Sequence, residues 1–249
     1  MGRAKELVLK VIPAKIANEF VKKHHYSGKV VQNSNLHFGV FLDGQLHGVM
    51  SYGSSLDKSK IIGLVKGTKW NEFLELNRMA FDSVLPRNSE SRAISQSIKL
   101  IKKNAPHIKW IISFADGAQC GDGTIYRASN FVLTSIKPNR SILILPSGTT
   151  ISQVTITANW RCKQLKKECE FLGIPQIYRP VSEWLKLGAK YIDGFQLRYI
   201  YFIDKSYRSR LTVPEIPFSK IDELGAGMYK GEKVTQSERH AKKTETATQ

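Results

Sequence analysis

The stretch Leu74–Arg92, LELNRMAFDSVLPRNSESR, constrains the fold of this chain more than any other segment. A largely apolar run, then a polar turn, then apolar residues at helical spacing predict a buried strand, a turn and a helix start. The first turn of a helix leaves backbone N–H groups unpaired and carries a partial positive charge, to which Arg87 and Arg92 add full charges. The segment therefore predicts a pocket for an anionic group.

The polar residues of this turn are the candidates for binding a cofactor. Side chains with hydrogen-bond donors are concentrated there, and we expect them to hold the anionic part of a donor molecule. The candidate cofactor-binding residues are Arg87, Asn88, Ser89, Ser91 and Arg92.

The other segments alternate between strand and helix patterns. Asp43-Gly44 between the apolar runs Leu36–Leu42 and Gln45–Tyr52 predicts a β-hairpin. Ile108–Ala115 is almost continuously apolar, which is typical of a strand covered on both faces, and the glycine-rich loop Asp116–Gly123 follows it. The order of elements predicts an α/β (α+β) fold, a central mixed sheet flanked by helices. Further expected elements are strands at Leu7–Ile12, Phe73–Phe81, Phe131–Ile136, Ser141–Pro146 and Gln196–Ile203, and helices after Pro13 and over Thr124–Asn130, Trp160–Phe171 and Ser182–Leu187.

This order of elements resembles that of the GCN5-related N-acetyltransferases, the GNAT fold. In that resemblance the opening segment corresponds to the element that binds the pyrophosphate of acyl-CoA, which implies an acyl-CoA-like donor. The usual pattern is Gln/Arg-x-x-Gly-x-Gly/Ala; Arg87 matches its first position, but both glycines are missing. Glycines let a ligand approach the backbone closely, so this turn departs from the ordinary acetyltransferase loop.

The expected organisation is one GNAT-like catalytic domain over residues 1–236. It contains a basic insertion at about residues 150–195, and residues 237–249 form a polar tail that we expect to be disordered. Gly53–Lys60 is expected to be a loop, and the chain from about Pro214 onward has few apolar residues to anchor it.

The charge balance indicates the kind of partner. The net charge of +17 favours a polyanion, with DNA or RNA as the first expectation and an anionic membrane surface as the second. No apolar run approaches the roughly 18 residues of a membrane-spanning helix, so no membrane partner is expected. The three widely spaced cysteines argue against a disulfide framework and fit a reducing cytosol.

Two segments of the first half of the chain concentrate catalytic side-chain types. His24, His25 and Tyr26 follow the first helix pattern and are suited to act as a general base, metal ligands or a stacking platform. The alternative is a polar helix end with histidines near its negative dipole. Tyr52 ends the hairpin, where it faces either a central cleft or the sheet core.

Two further segments lie around the glycine-rich loop. Asp116 ends a buried strand, and ligands of open α/β sheets bind at that edge; the alternative is a turn-forming aspartate. In acetyltransferases the helix that corresponds to Thr124–Asn130 lies beside the thioester, and a tyrosine on it often protonates the leaving thiolate. Tyr126 is the candidate for that role, with a core tyrosine as the alternative.

Read together, these motifs resemble one family. HHYSG, the hairpin ending in SYG, ELNRMAFDSVLPRNSESR, SFADG, GTIYRASNF, RYIYFIDKSYRSRLTVPEIPFSKI and GAGMYKGEK are similar to the Mom family of phage DNA-modification proteins. The resemblance covers about residues 24–233. It implies a GNAT-like enzyme that converts adenine in duplex DNA to N6-carbamoylmethyladenine and so protects phage DNA from host restriction enzymes. The implied location is the cytoplasm of an infected or lysogenic bacterium.

The implied reaction assigns partners and roles to the charged residues. Chemistry on adenine N6 in double-stranded DNA requires that the base be flipped out of the duplex. His25, Tyr26, Tyr52, Asp116 and Tyr126 are the candidate catalytic residues. A redox metal such as iron is a possible cofactor, with His24, His25 and Asp116 as its candidate ligands. The candidate DNA-binding residues are Lys163, Lys166, Lys167, Arg198, Lys205, Arg208 and Arg210.

Two other classes of function remain open from the sequence. One is an ordinary GNAT enzyme that acetylates a small amine or a protein without DNA. The other is a non-catalytic basic protein that binds DNA on a GNAT scaffold. Modified bases in cellular DNA distinguish the enzyme from the binding protein.

Overall fold

The protein is described by a computed structural model that covers residues 3–229, 231–235 and 238. Its main feature is a seven-stranded sheet with the strand order β1-β2-β3-β4-β5-β10-β6. The strands are β1 Val8–Val11, β2 Ser34–Leu42, β3 Gln45–Gly53, β4 Phe73–Phe81, β5 Trp110–Gly117, β6 Val132–Pro138 and β10 Phe195–Phe202. The helices that flank it are α1 Ala14–His24, α2 Lys58–Ile62, α3 Ser89–Asn104, α4 Thr124–Ala128 and α8 Ser219–Glu223.

The sheet is antiparallel except for the pair β4 and β5. These two strands run parallel and share only three register pairs, from Phe73 with Trp110 to Glu75 with Ile112. Beyond that point β4 stays with β3, and one extra residue, Asn77, bulges out between the pairs that flank it. Since β5 continues beside β10 instead, a gap opens between the two strands in the middle of the sheet.

The two faces of the sheet have separate cores because side chains alternate along each strand. Ile111 and Ala115 of β5 face the core that α3 covers through its buried isoleucines. Trp110 and Ile112 point to the opposite face, where they pack with residues of the loops before β4 and after β10. On that same face, α1 covers the β3–β4 region through Ala17.

The chain between β6 and β10 forms a small unit with its own core. Its three strands have the order β8-β7-β9 and pack with three helices around the buried Trp184. The elements are β7 Ile142–Ile144, β8 Thr150–Ser152, β9 Lys190–Tyr191, α5 Gln153–Ala158, α6 Lys163–Leu172 and α7 Val181–Lys186.

Most of the predicted elements are confirmed, including the hairpin, but three predictions were wrong in detail. The expected loop Gly53–Lys60 contains the start of α2, a single helical turn that periodicity does not reveal. Strand β5 continues through Asp116, which lies in the strand and not in the loop, because β10 pairs with it to that point. The chain after Pro214 is also anchored: Met228, on the short hairpin β11 (Met228–Tyr229) and β12 (Glu232–Lys233), is buried and accepts a hydrogen bond from the Asp122 amide.

The predicted polar tail, residues 237–249, lies outside the described residues except for Glu238, which accepts hydrogen bonds from Thr235. In the described part of the chain, no helix has both the length and the apolar character needed to cross a membrane.

Ile111 at the centre of β5 provides a test of this packing. It is 0% exposed, so we expect Ile111→Ala to lower the free energy of unfolding by about 2–5 kcal/mol through lost burial and a residual cavity. Ile144→Ala is the matched control, since that side chain is 41% exposed, and it should cost less than about 1 kcal/mol. Urea unfolding curves measure the free energy of unfolding of both variants. Equal losses would contradict the packing of Ile111 in the core under α3.

Candidate active site

Asp116 is the centre of a polar cluster beside the gap between β4 and β5. Its carboxylate accepts hydrogen bonds from the Tyr26 hydroxyl at 3.0 Å, the Gln196 side-chain amide at 3.0 Å and the Ala118 backbone N–H at 3.1 Å. The backbone N–H groups of residues 119–121 bond to its carbonyl oxygen and fix the start of the following loop. An ionised carboxylate offers about four acceptor positions, so three donors within the described structure leave room for one more.

Tyr26 joins the end of α1 to this carboxylate. Its ring is 53% exposed, yet burial of its hydroxyl, together with the charge of Asp116, raises the pKa of the phenol. The hydroxyl therefore remains protonated and acts as a donor toward Asp116.

His25 lies against Tyr26, with the two ring centroids 4.3 Å apart. Its Nδ1 accepts the backbone N–H of Ser27 at 3.1 Å and lies 2.8 Å from the Ser27 hydroxyl. Burial, with a smaller effect of the nearby Arg78 charge, lowers the pKa of His25 to about 4. At neutral pH the ring is thus uncharged, and because Nδ1 is the acceptor, Nε2 carries the proton.

Two charged residues of β4 belong to this cluster and were missed by the sequence reasoning. Arg78 donates through Nε to the carbonyl of Lys29 at 3.0 Å and influences the titration of His25 and Tyr26. Burial raises the pKa of Glu75, which lies near Arg78, Asn77 and Ser55. The available signal was the placing of Glu75 and Arg78 within an otherwise apolar strand, since charged residues are seldom buried without a partner.

The other two candidate catalytic residues, Tyr52 and Tyr126, lie on the opposite face of the sheet. Tyr52 bonds to the Ser97 hydroxyl of α3 at 2.7 Å, and the Tyr126 hydroxyl lies 2.8 Å from the Ser113 hydroxyl of β5. Both rings belong to the core under α3, and burial raises the pKa of Tyr126 to about 12. The five predicted catalytic residues thus form two groups, one on each face of the sheet.

The candidate cofactor-binding residues lie around an open groove of about 890 Å³. Arg87, Asn88, Ser91 and Arg92 line it from the start of α3, opposite residues 128–130 after α4. Ser89 is buried instead and donates its hydroxyl to the Pro86 carbonyl at 2.5 Å.

The backbone conformation that the missing glycines would allow is present at another residue. Asn88 precedes the helix with a φ of 70°, in the left-handed region that asparagine tolerates better than most residues. Arg92 donates through its second terminal nitrogen to the Lys5 carbonyl, and its Nε is buried without a partner in the described structure. A basic groove at a helix start with such a donor fits the anionic part of a cofactor.

The predicted metal ligands are not brought together. His24 stacks on Phe20, with the ring centroids 4.3 Å apart, and borders a different cavity from the Asp116 cluster. Over the described ranges there is no group of three or more His, Cys, Asp or Glu side chains suited to hold a metal ion. His25 and Asp116 alone do not make up a three-ligand site.

The candidate DNA-binding residues differ in their exposure and in whether their charged groups already contact other side chains. Lys163, Lys166 and Lys167 are exposed on α6, where Lys166 lies 3.9 Å from Glu170. Arg198 is held against β6 by bonds to the Thr134 hydroxyl and carbonyl. The others lie at the 3-10 helix after β10: Arg208 pairs with Glu215 at 2.6 Å, Arg210 lies over the Tyr207 ring, and Lys205 lies over the Tyr201 ring.

Comparison with known proteins identifies the family. The model of the Mom protein family matches residues 6–220. A methylcarbamoylase, Mom of Escherichia phage Mu, is 34% identical over 209 residues, which cover 84% of this chain and 80% of that protein. This chain belongs to the Mom family. The match confirms the resemblance drawn from the motifs, and the relative's name agrees with the enzyme class that the resemblance implies.

Solved structures of acetyltransferases are similar to most of this chain, at low sequence identity and low TM-score. A spermidine/spermine N-acetyltransferase of Vibrio cholerae is 8% identical with a TM-score of 0.44 and covers 84% of this chain and 99% of that one. An IAA acetyltransferase of Bacillus cereus is 10% identical with a TM-score of 0.42, covering 79% and 99%. The mixed α/β fold predicted for this chain, a central sheet flanked by helices, is confirmed by its own strand order and elements.

The shifted pKa of His25 predicts a pH dependence of stability. The ring takes up a proton near pH 4 in the folded chain but near pH 6.5 when unfolded, so between these values acid favours unfolding. We expect the free energy of unfolding to fall by about 1–2 kcal/mol from this group between pH 7 and pH 4, since partial exposure reduces the full effect.

His25→Asn keeps an acceptor for the Ser27 amide but cannot titrate in this range. Urea unfolding at pH 7 and pH 4.5 should therefore show a smaller loss in the variant than in the wild type. Burial also lowers the pKa of His37, which contributes equally to both proteins and cancels in the comparison. An identical loss in both would show that the His25 pKa is not depressed by folding.

Proposed function

We propose that this protein transfers a carbamoylmethyl group to N6 of adenine in double-stranded DNA. The observation that carries the proposal is the Asp116 cluster, a hydrogen-bonded carboxylate with one acceptor position left, at the gap of a GNAT-like sheet in a Mom-family chain. An exocyclic amine is the group that such a carboxylate would bind and deprotonate.

The product determines which bonds change. Its N6 is joined to a CH₂ group, with the carbonyl carbon one atom further out, so one N6–H bond breaks and one N–CH₂ bond forms. A donor attacked at its carbonyl carbon, as in ordinary acetyl transfer, would give a different product. In a single displacement, which we propose here, the leaving group departs from the CH₂ carbon with the bonding electron pair, and a base accepts the N6 proton.

Asp116 is the base in this proposal. Tyr26 donates to its carboxylate and stays protonated, which holds the carboxylate in position. His25 is neutral and has its proton on Nε2, so it serves as a donor to the substrate and not as the base. Tyr126 and Tyr52 are buried in the core on the other face of the sheet, so they do not act on adenine in this proposal.

The donor occupies the groove at the start of α3. Arg87 and Arg92 supply positive charge there, and Asn88 and Ser91 supply polar groups, so that an acyl-CoA-like or otherwise anionic carrier fits the lining. The reactive end of the donor reaches the adenine through the gap between β4 and β5. Donor and acceptor thus approach from opposite faces of one sheet.

Duplex DNA is the proposed macromolecular partner. The net charge of +17 favours phosphate binding, and the exposed lysines of α6 and the basic 3-10 helix after β10 are the proposed contacts. The target adenine must leave the base stack to reach Asp116. We place this activity in the cytoplasm of an infected or lysogenic bacterium, where the modification would protect phage DNA from restriction.

Mass spectrometry of nucleosides from a bacterium that expresses the protein tests the reaction. Wild-type expression should add the mass of a carbamoylmethyl group to deoxyadenosine. Asp116→Ala removes the base and should lower the modified fraction at least about 100-fold, and Arg87→Ala removes a donor contact and should lower it about 10-fold or more.

Asp193→Ala and Lys103→Ala are the matched controls, because both side chains are exposed and outside the site, and they should leave the modified fraction unchanged. Unmodified adenine in cells that hold folded wild-type protein would refute the proposed function. Full activity of Asp116→Ala would remove Asp116 from the chemistry.

The lysines of α6 predict a change in salt dependence. Lys163→Ala with Lys167→Ala removes two exposed charges, so the slope of log K for duplex binding against log salt should fall by about 1–2. The control Lys102→Ala with Lys103→Ala, at the C-terminal end of α3, removes the same charge and should keep the wild-type slope. Fluorescence anisotropy over a salt series measures both; equal slopes for all three proteins would place the DNA elsewhere.

A further inference from the structure

Phe114 lies on β5, an interior strand of the sheet, yet it is 40% exposed. The two residues before it on the same face, Trp110 and Ile112, are both fully buried. By alternation along the strand, Phe114 points to this face as well, and Asp116 follows it there. An aromatic ring in the middle of a sheet is normally covered by other parts of the protein. Its exposure here therefore indicates a place where a ligand could bind.

Two separate groups of residues bury this face of the sheet, one on either side of Phe114. The core that buries Trp110 and Ile112 is closed by the loops around Val65 and Tyr207. The core under α1, on the β3–β4 side, is centred on Val49. Among the described residues, neither core includes Phe114, whose exposed ring we call the floor of the proposed base site.

The surroundings of this floor are polar. Across the strand pair, Phe114 faces Arg198 and Asp116 faces Gln196. Arg198 is held by Thr134 of β6, and Gln196 donates to Asp116. The floor thus combines one apolar ring with hydrogen-bonding groups whose positions are fixed by the sheet.

We infer that Phe114 is the residue on which the flipped adenine stacks, with its amino group directed to Asp116. This inference rests on the proposed function and adds the base-binding residue to it. Two residues along a strand on one face are about 7 Å apart, a distance that a purine with an exocyclic amine spans. Stacking on an aromatic ring also repays part of the cost of taking the base out of the duplex.

Two duplexes of one sequence isolate this contact. In the first, the target adenine faces an abasic nucleotide and is unpaired; in the second, the target nucleotide itself is abasic. The sequence is taken from sites that the wild-type protein modifies in cellular DNA. The ratio of the two dissociation constants measures capture of the base and leaves out phosphate contacts, which both duplexes share.

Wild-type protein should bind the duplex with the unpaired adenine more tightly. Phe114→Ala should reduce that preference about 5- to 100-fold and lower the modified fraction in cells, whereas Phe114→Trp should keep both. Trp70→Ala, which removes another exposed aromatic side chain, is the control and should keep the preference. All variants should show the wild-type salt slope.

A preference that survives in Phe114→Ala, or is absent in the wild type, would overturn the stacking role. Loss of the preference in Phe114→Trp as well would also overturn it, since that variant retains a stacking surface. These results are distinct from failure of the proposed function, which would appear as unmodified adenine in DNA from cells that express the wild type.

Discussion

The early separation of β4 and β5 is the constraint on which the rest of this structure depends. Three register pairs join the two strands, and the bulge at Asn77 then turns β4 toward β3. At the opening, the Ser113 hydroxyl donates to the Leu76 carbonyl, so a side chain supplies a bond between the strands beyond their ladder. The strand ladder between β4 and β5 is therefore short, and the proposed route between the two faces of the sheet depends on this interruption.

The gap also explains why so many polar groups are buried near the middle of the sheet. Glu75 and Arg78 are partly buried, which costs solvation, and burial raises the pKa of Glu75. The apolar cores on both faces, under α3 and under α1, offset it. Stability is therefore supplied at some distance from the site, which is the usual arrangement where strained or buried polar groups serve a function.

The sequence predicted the elements better than the relations among them. Asp43-Gly44 and the apolar run before Asp116 have strong local signals, and the hairpin and β5 lie where these signals indicate. The face to which a side chain points depends on pairing, so the separation of Tyr126 from Asp116 could not be read from their spacing. Strand pairing also explains why the side chain of Arg198, which the sequence predicted to bind DNA, is hydrogen-bonded to Thr134 of the neighbouring strand.

Local patterns failed in a different way at the turn before α3. The acetyltransferase pattern places glycines where the backbone must approach a ligand, and their absence suggested a defect in the site. The left-handed conformation occurs at Asn88, a position at which the pattern does not require glycine. A motif records one way to meet a backbone requirement, and here a non-glycine residue adopts the left-handed conformation at a neighbouring position.

In the proposed reaction, the chemistry of the site would also constrain which base it accepts. A carboxylate that already receives three donors accepts a fourth, so it favours an exocyclic amine and repels the O4 carbonyl of thymine. Cytosine, adenine and guanine all carry an exocyclic amine, and the carboxylate alone does not separate them. The ring of Phe114 adds a preference through stacking area, which is larger for a purine. In this proposal, two groups on one strand, two residues apart, favour a purine that carries an exocyclic amine, while the lysines of α6 supply attraction that is the same for every sequence.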